Sequence, residues 1–242
     1  AIHADKFNWK YAWLGEHHAL TEYSHMSAPE TVFAYITAQT EQIHVGSGIM
    51  NLSRPVNHPV RNAERVAMLD HITGNRYEWG TGRGAGSHEM ATFDLLTSET
   101  KEMWNEAAPE ILRMWEQKDY TFDGKFFKVE KPHNVLPKPY GPGHPPLWVG
   151  CGNPATFTKA GELGIGAIAF ALSSAESGSS AIEPIFDSSR YARAASIVSA
   201  LSAALIVGAG GGNAPSAYAV ETPPGGGLKI EIFSLADPEG VE

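Results

Sequence analysis

The stretch "HPVRNAERVAMLDHITGNRYEWGTGRG", residues 58–84, holds a complete helix, a stop, a strand and a glycine turn in 27 residues. From about Pro59 to Ile72, Val60, Ala63, Val66 and Ala67 fall on one side of a helix, the spacing of a buried stripe. Gly74 stops it, and Arg76 to Gly80 reads as the next strand. Helix-to-strand alternation on this scale belongs to chains that stack helices on a parallel sheet.

The same pattern extends outward in both directions. Tyr11 to Leu14 reads as a strand, and Ser27-Ala28-Pro29-Glu30 opens a helix, with Ser27 as cap and Glu30 at capping-box distance. Val32, Phe33 and Ile36 form that helix's buried stripe, and Ile43 to Met50 reads as one strand. A long helix follows Thr97 and Ser98, with Met103, Trp104, Ala107, Ile111, Met114 and Trp115 in one sector and a bend at Pro109. Tyr120 to Val129 reads as a hairpin turning at Asp123-Gly124. Six prolines between Pro132 and Pro146 make an extended connector. "LWVGC" and "IGAIAF" are two further strands with a short helix between them. Strands starting near residues 12, 43, 77, 147 and 165 imply a parallel sheet covered by helices, met equally by an open doubly wound sheet and by a (β/α) barrel. Either architecture puts ligands at the carboxyl ends of the strands.

Composition bounds the rest. The chain has 242 residues, 43% hydrophobic and 19% charged, enough for one sizeable core. A net charge of -9 without a Lys/Arg cluster argues against a nucleic-acid partner. Cys151 is the only cysteine, which suits a reducing cytosol. The N-terminus lacks the apolar core of a signal peptide, and the uncharged run 194–209 is too short and too serine-rich for a membrane span. Residues 1–172 are expected to form the structured domain. Residues 173–242, rich in Gly, Ser, Ala and Pro, are expected to be mostly flexible, with one helix around 188–206.

Four polar or glycine clusters fall at the strand ends: Glu16-His17-His18, Ser47-Gly48, Gly82-Arg83-Gly84 and Gly152-Asn153. In an extended segment Glu16 and His18 share one side and His17 takes the other. No convergent set of three or four metal donors is spaced for zinc, so no metal is expected. The run Gly80 to Ala85 matches G-x-G-x-x-A, but no clean helix follows it and no acidic strand end stands about 20 residues on. A nicotinamide site is therefore the weaker reading. The turn instead lets Arg83 reach an anion with its fork of donors. Asn153 and Thr156, at a helix start, suit either an anion or ordinary capping.

Taken together, "WLGEHHALTEYSH", "IHVGSGI", "HPVRNAERVAMLDHITGNRYEWGTGRG" and "PPLWVGCGNPATFTKAGELG" resemble the luciferase-like flavin monooxygenases over about residues 1–172. The resemblance implies a (β/α)₈ TIM-type barrel, here incomplete, with about five or six strands present and an unmatched tail. It implies FMN, used in its reduced form as co-substrate with dioxygen to oxygenate a small organic molecule; the E-H-H form resembles FMN users more than deazaflavin users. By the same resemblance His17 is the catalytic histidine, and Arg83 and Lys101 are phosphate ligands. Asn153 and Thr156 contact the same phosphate, and Ser47-Gly48 lines the flavin ring. A flavin reductase and a homodimer are the implied partners. The first strand and the last two of the family barrel have no counterpart in the sequence, which leaves a non-catalytic remnant acting through association as the alternative.

Overall fold

The computed structural model describes residues 1–21, 25–84, 86–171, 216–221 and 229–233. It divides into two units, Ala1–Leu147 and Trp148–Glu242. The first runs α1 (Ile2–Lys6), β1 (Tyr11–Leu14), α2 (Pro29–Thr37), β2 (His44–Ser47), β3 (Met50–Asn51), α3 (Pro59–Thr73), β4 (Tyr77–Gly82), α4 (Ser87–Ala91), α5 (Thr100–Glu116), β5 (Tyr120–Asp123) and β6 (Lys128–His133). Strands β1, β2 and β4 lie side by side and parallel, with Leu14 opposite Ser47 and Val45 opposite Tyr77. Short β3 runs parallel to the far end of β4, Met50 opposite Thr81. Parallel neighbours need a crossover, and α2 and α3 supply it.

Sequence chemistry accounts for these helices. In α3, Pro59 occupies the first turn, Gly74 closes the far end at φ 63°, and Ala63, Val66, Ala67 and Leu69 are buried. They join one core with Phe33 and Ile36 of α2, Val45 of β2, Tyr77 and Trp79 of β4, and Ala107, Ile111, Met114 and Trp115 of α5. Trp79 and Trp115 meet edge-on at 5.1 Å, and the Trp115 indole donates to the Ala63 carbonyl at 3.1 Å. Helix and sheet stripes therefore close on each other as the periodicity predicts.

His58 starts α3 by accepting the Val60 amide proton on Nδ1 at 3.2 Å. Burial, with Arg54 nearby, lowers its pKa below the ordinary histidine value. A depressed histidine pKa means that the unfolded chain takes up the proton first as pH falls. The cap's contribution, about 1 kcal/mol, is thus complete above the ordinary histidine range and is lost as pH falls through it toward the folded value. Urea unfolding at pH 8 and pH 5 should show a smaller pH loss for His58→Asn, which caps without titrating, than for the native chain.

Close approach sets β2. A side chain at Gly46 would place its Cβ 2.4 Å from the Trp13 ring and 3.0 Å from Glu78 Cβ. Gly46→Ala should therefore destabilise by about 1–2 kcal/mol through overpacking, seen as a lower urea midpoint; an unchanged midpoint contradicts this.

Three expectations are corrected. Ile43 to Met50 is not one strand: β2 ends at Ser47, β3 begins at Met50, and a cis peptide bond joins Gly48 to Ile49 between them. Ser27 does not cap α2; Ala28 holds the cap position without a side-chain bond, and Thr31 Oγ1 donates to the Ala28 carbonyl at 2.8 Å. The hairpin does not turn at Asp123-Gly124. Asp123 pairs with Lys128, leaving a four-residue loop of residues 124–127. Gly124 lacks the positive φ of the two-residue turn, and the loop is tied down by Glu106, which accepts from the amides of Lys125, Phe126 and Phe127.

The second unit takes in β7 (Leu147–Gly150) from Trp148 on, then α6 (Pro154–Leu163), β8 (Gly166–Ala171), β9 (Ser216–Glu221) and β10 (Lys229–Phe233). Strands β7 and β8 are parallel, Trp148 opposite Gly166, with α6 between them. Strand β9 pairs antiparallel with both β8 and β10. Two strands thus stand in the segment that composition reads as mostly flexible. The helix expected at 188–206 and the apolar run 194–209 lie outside the described residues. Among the described residues no helix is long and apolar enough to cross a membrane.

Candidate active site

The carboxyl ends of β1, β2 and β4 share one edge of the first unit's sheet, because the strands are parallel and in register. Hydrogen bonds stitch the departing loops together. Gly48 donates its amide to the Leu14 carbonyl at 2.8 Å, and Leu52 donates to the Gly82 carbonyl at 2.9 Å. The knot is Glu16. Its Oε1 accepts from Asn57 Nδ2 at 2.7 Å and lies 3.0 Å from His18 Nε2, while Oε2 accepts from the Asn51 amide at 3.0 Å. Asn57 is gripped in turn by the Arg65 guanidinium, which also reaches Asn62 and Glu30 at 3.0 Å each. This buried network joins the end of β1 to β3 and to α3.

Glu16 and His18 do share one side, as an extended segment requires, and His17 points elsewhere. His17 Nδ1 lies 3.3 Å from Oε2 of Glu89, a buried residue of α4, whose Oε1 accepts from the His18 amide at 2.6 Å. Backbone bonding of the His17 amide to the Met26 carbonyl, at 2.9 Å, fixes the loop from the other direction. The imidazole is partly exposed, its side chain at 26%. Among the described residues no group of three or more His, Cys, Asp or Glu side chains is placed to hold a metal ion; the Glu16 and Glu89 oxygens are engaged by the donors just named.

The other expected residues of this unit divide. Ser47 is fully buried, its hydroxyl 2.7 Å from that of Tyr77, which packs against Phe33 of α2. Burial raises the Tyr77 pKa well above the ordinary phenol value. The Ser47 side chain thus belongs to the layer between sheet and helices, and Gly48 is the member of that pair that stays with the strand-end loops. Arg83 follows β4 directly and is exposed; Gly84, at φ 74°, turns the chain there and leaves no room for a Cβ beside Met90 and Asn51. Lys101 is exposed in the first turn of α5. Among the described residues neither cation has a hydrogen bond or ion pair.

In the second unit Asn153 caps α6: its Oδ1 accepts from the Thr156 amide at 3.1 Å and from the Thr156 hydroxyl at 3.2 Å. Helix capping thus accounts for the Asn153 oxygen, and its side-chain amide keeps two donors for a ligand. Cys151 is buried, which pushes its thiol up to about 12 and leaves it a structural residue.

Comparison with known proteins bears on this arrangement. The family model described as luciferase-like monooxygenase matches residues 1–214. The chain belongs to the luciferase-like monooxygenase family. The match continues past residue 172, where the sequence motifs end. Among curated relatives, the oxygenase component of the flavin-dependent trigonelline monooxygenase of Acinetobacter baylyi is 29% identical over 66% of this chain and 44% of its own length. The alkanal monooxygenase alpha chain of the Kryptophanaron alfredi symbiont is 29% identical over 64% of this chain and 42% of its own. The crystal structure of monooxygenase RslO1 from Streptomyces bottropensis superposes with a TM-score of 0.62 at 27% identity, over 68% of this chain and 49% of that one. The fold is accordingly that of the luciferase-like (β/α) barrel, incomplete over this chain. The chain spans less than half the length of the curated relatives it matches.

Proposed function

We propose that this luciferase-like chain binds FMN and serves an oxygenase that uses reduced flavin and dioxygen to oxygenate a small organic substrate. The machinery lies within residues 1–172. The observation that carries the reading is the edge where β1, β2 and β4 end, since His17, Gly48 and the exposed Arg83 each stand on the chain leaving one of those strands. The residues present fit the cofactor. Arg83 is a two-pronged donor without a protein partner among the described residues, as a phosphate ligand should be, and Lys101 adds a second positive charge at a helix start. The family resemblance alone proposes Asn153 and Thr156 of the second unit as phosphate donors. Gly48 brings no side chain, so a flat ring can lie against its backbone. Reduced flavin, when bound, supplies the electrons that activate dioxygen. His17 moves a proton to or from the reacting oxygen, the general acid–base work an imidazole side chain can do. Glu16 holds the loop in register while this happens.

A relative described as an oxygenase component supports a separate flavin reductase as the source of reduced cofactor. The cytoplasm, with its reducing thiol poise, is the proposed compartment.

The test is retention of flavin. The purified full chain, mixed with excess FMN and desalted, should keep flavin absorbance at one mole per mole of chain and quench the flavin's fluorescence on titration. Coenzyme F420, run in parallel, should bind more weakly. Retention of F420 instead of FMN overturns the cofactor, and retention of neither overturns the reading in favour of a non-catalytic chain.

A further inference from the structure

We infer that Glu89 is a positioning residue that decides which nitrogen of His17 carries the proton. The inference rests on the proposed proton-transfer role of His17 and deepens it. The group held against Nδ1 of the His17 ring arrives from 72 residues away, on α4.

The two oxygens of Glu89 have different duties. Oε1 accepts from the His18 amide at 2.6 Å. A backbone N–H can only donate, so that assignment is fixed, and the short distance marks a strong, charge-assisted bond. The carboxylate, with a side chain 6% exposed, is thereby locked in rotation, and Oε2 is held 3.3 Å from His17 Nδ1. A carboxylate accepts at both oxygens, so Nδ1 carries the hydrogen and Nε2 is the nitrogen that takes up and releases the proton in catalysis. His17 is anchored through its own amide on the Met26 carbonyl, so ring and carboxylate meet across two independently fixed backbones.

Glu89→Gln gives this assignment a distinctive signature. The His18 amide still needs an acceptor, so the glutamine carbonyl takes the place of Oε1. Its NH₂ then faces Nδ1, which must become the acceptor, and the proton moves to Nε2. The substitution inverts the tautomer instead of merely loosening it.

The experiment is long-range ¹H–¹⁵N NMR of the full chain labelled at histidine nitrogens, with the His17 signals assigned by their loss in His17→Asn. The native protein above the histidine titration range should show Nδ1–H at His17. Glu89→Gln should shift the tautomer ratio roughly tenfold or more toward Nε2–H, the equivalent of one charge-assisted hydrogen bond. The ring of His18, which faces Glu16, should not change. An Nε2–H tautomer in the native protein overturns the inference whether or not the variant folds, and so does a tautomer that Glu89→Gln leaves alone. Flavin-dependent oxygenation by the same variant separates the two readings. An inverted tautomer with an unchanged rate keeps the Glu89 assignment and removes the acid/base role of His17.

Discussion

Glu16→Ala is expected to lower the unfolding free energy by about 3 kcal/mol, the largest stability loss predicted for the strand-end loops. The carboxylate is the shared acceptor for His18 Nε2, Asn57 Nδ2 and the Asn51 amide, and Asn51 and Asn57 are themselves buried. Deleting it strands up to three donors, and a buried donor without an acceptor costs about 1–3 kcal/mol; water entering the vacated space recovers part of this. The loss spreads, because Asn57 also donates to the Asn51 carbonyl at 3.0 Å and is held by Arg65. Glu16→Gln should recover only part of the stability, since its single carbonyl oxygen serves fewer donors and its NH₂ opposes one of them. Urea unfolding of the three proteins measures this. A Glu16→Ala midpoint equal to the native one would remove Glu16 from the centre of the network.

The strand-helix alternation is legible in the sequence because it is written in local periods. Val32, Phe33 and Ile36 in α2, and Ala63, Val66 and Ala67 in α3, are packed where their spacing puts them. What the period cannot express is a break inside an apolar run. Ile43 to Met50 alternates well enough for one strand, yet pairing moves to a second segment after Ser47. Asp123-Gly124 fails for a related reason. The dipeptide prefers a tight turn, but Glu106 on α5 supplies acceptors for three successive loop amides, and a tertiary contact overrides the local preference.

Legibility of the site follows the same division. His17, Gly48 and Arg83 are proposed from the sequence because each follows a strand end, and parallel register brings those ends to one edge. Ser47 and Gly48 are separated by one step of the pleat: neighbours on a strand face opposite sides, and the Ser47 hydroxyl goes to Tyr77. Glu89, Asn51, Asn57 and Arg65 are absent from the sequence reading altogether. Their partners are 72, 35, 41 and 35 residues away, and no spacing rule reaches that far. One local hint existed: Asn62 and Arg65 stand three apart in α3, the spacing at which helix side chains meet.

Arg83→Ala should weaken FMN binding by roughly 10- to 100-fold while leaving riboflavin, the same ring system without phosphate, at its native affinity. A charge-assisted hydrogen bond is worth about 1.5–3 kcal/mol, and each 1.4 kcal/mol is about tenfold in affinity. Arg83 is the group to carry this: it leaves β4 directly, it is exposed, and it has no hydrogen bond or ion pair among the described residues. The guanidinium therefore surrenders no hydrogen bond or ion pair among the described residues when it takes a phosphate, which makes its contribution readable in a single substitution. Arg83→Lys should keep part of the affinity and most of the salt dependence, because it retains the charge and loses the two-pronged geometry. Fluorescence titration of FMN and riboflavin against the three proteins, at low and high salt, checks each element. Equal losses for the two flavins would place Arg83 against the ring, and no loss for either would pass the phosphate to Lys101, where Lys101→Ala should then produce the FMN-specific effect. Native binding of riboflavin as tight as that of FMN would remove the phosphate from the site and with it the reason for an unpaired guanidinium at the end of β4.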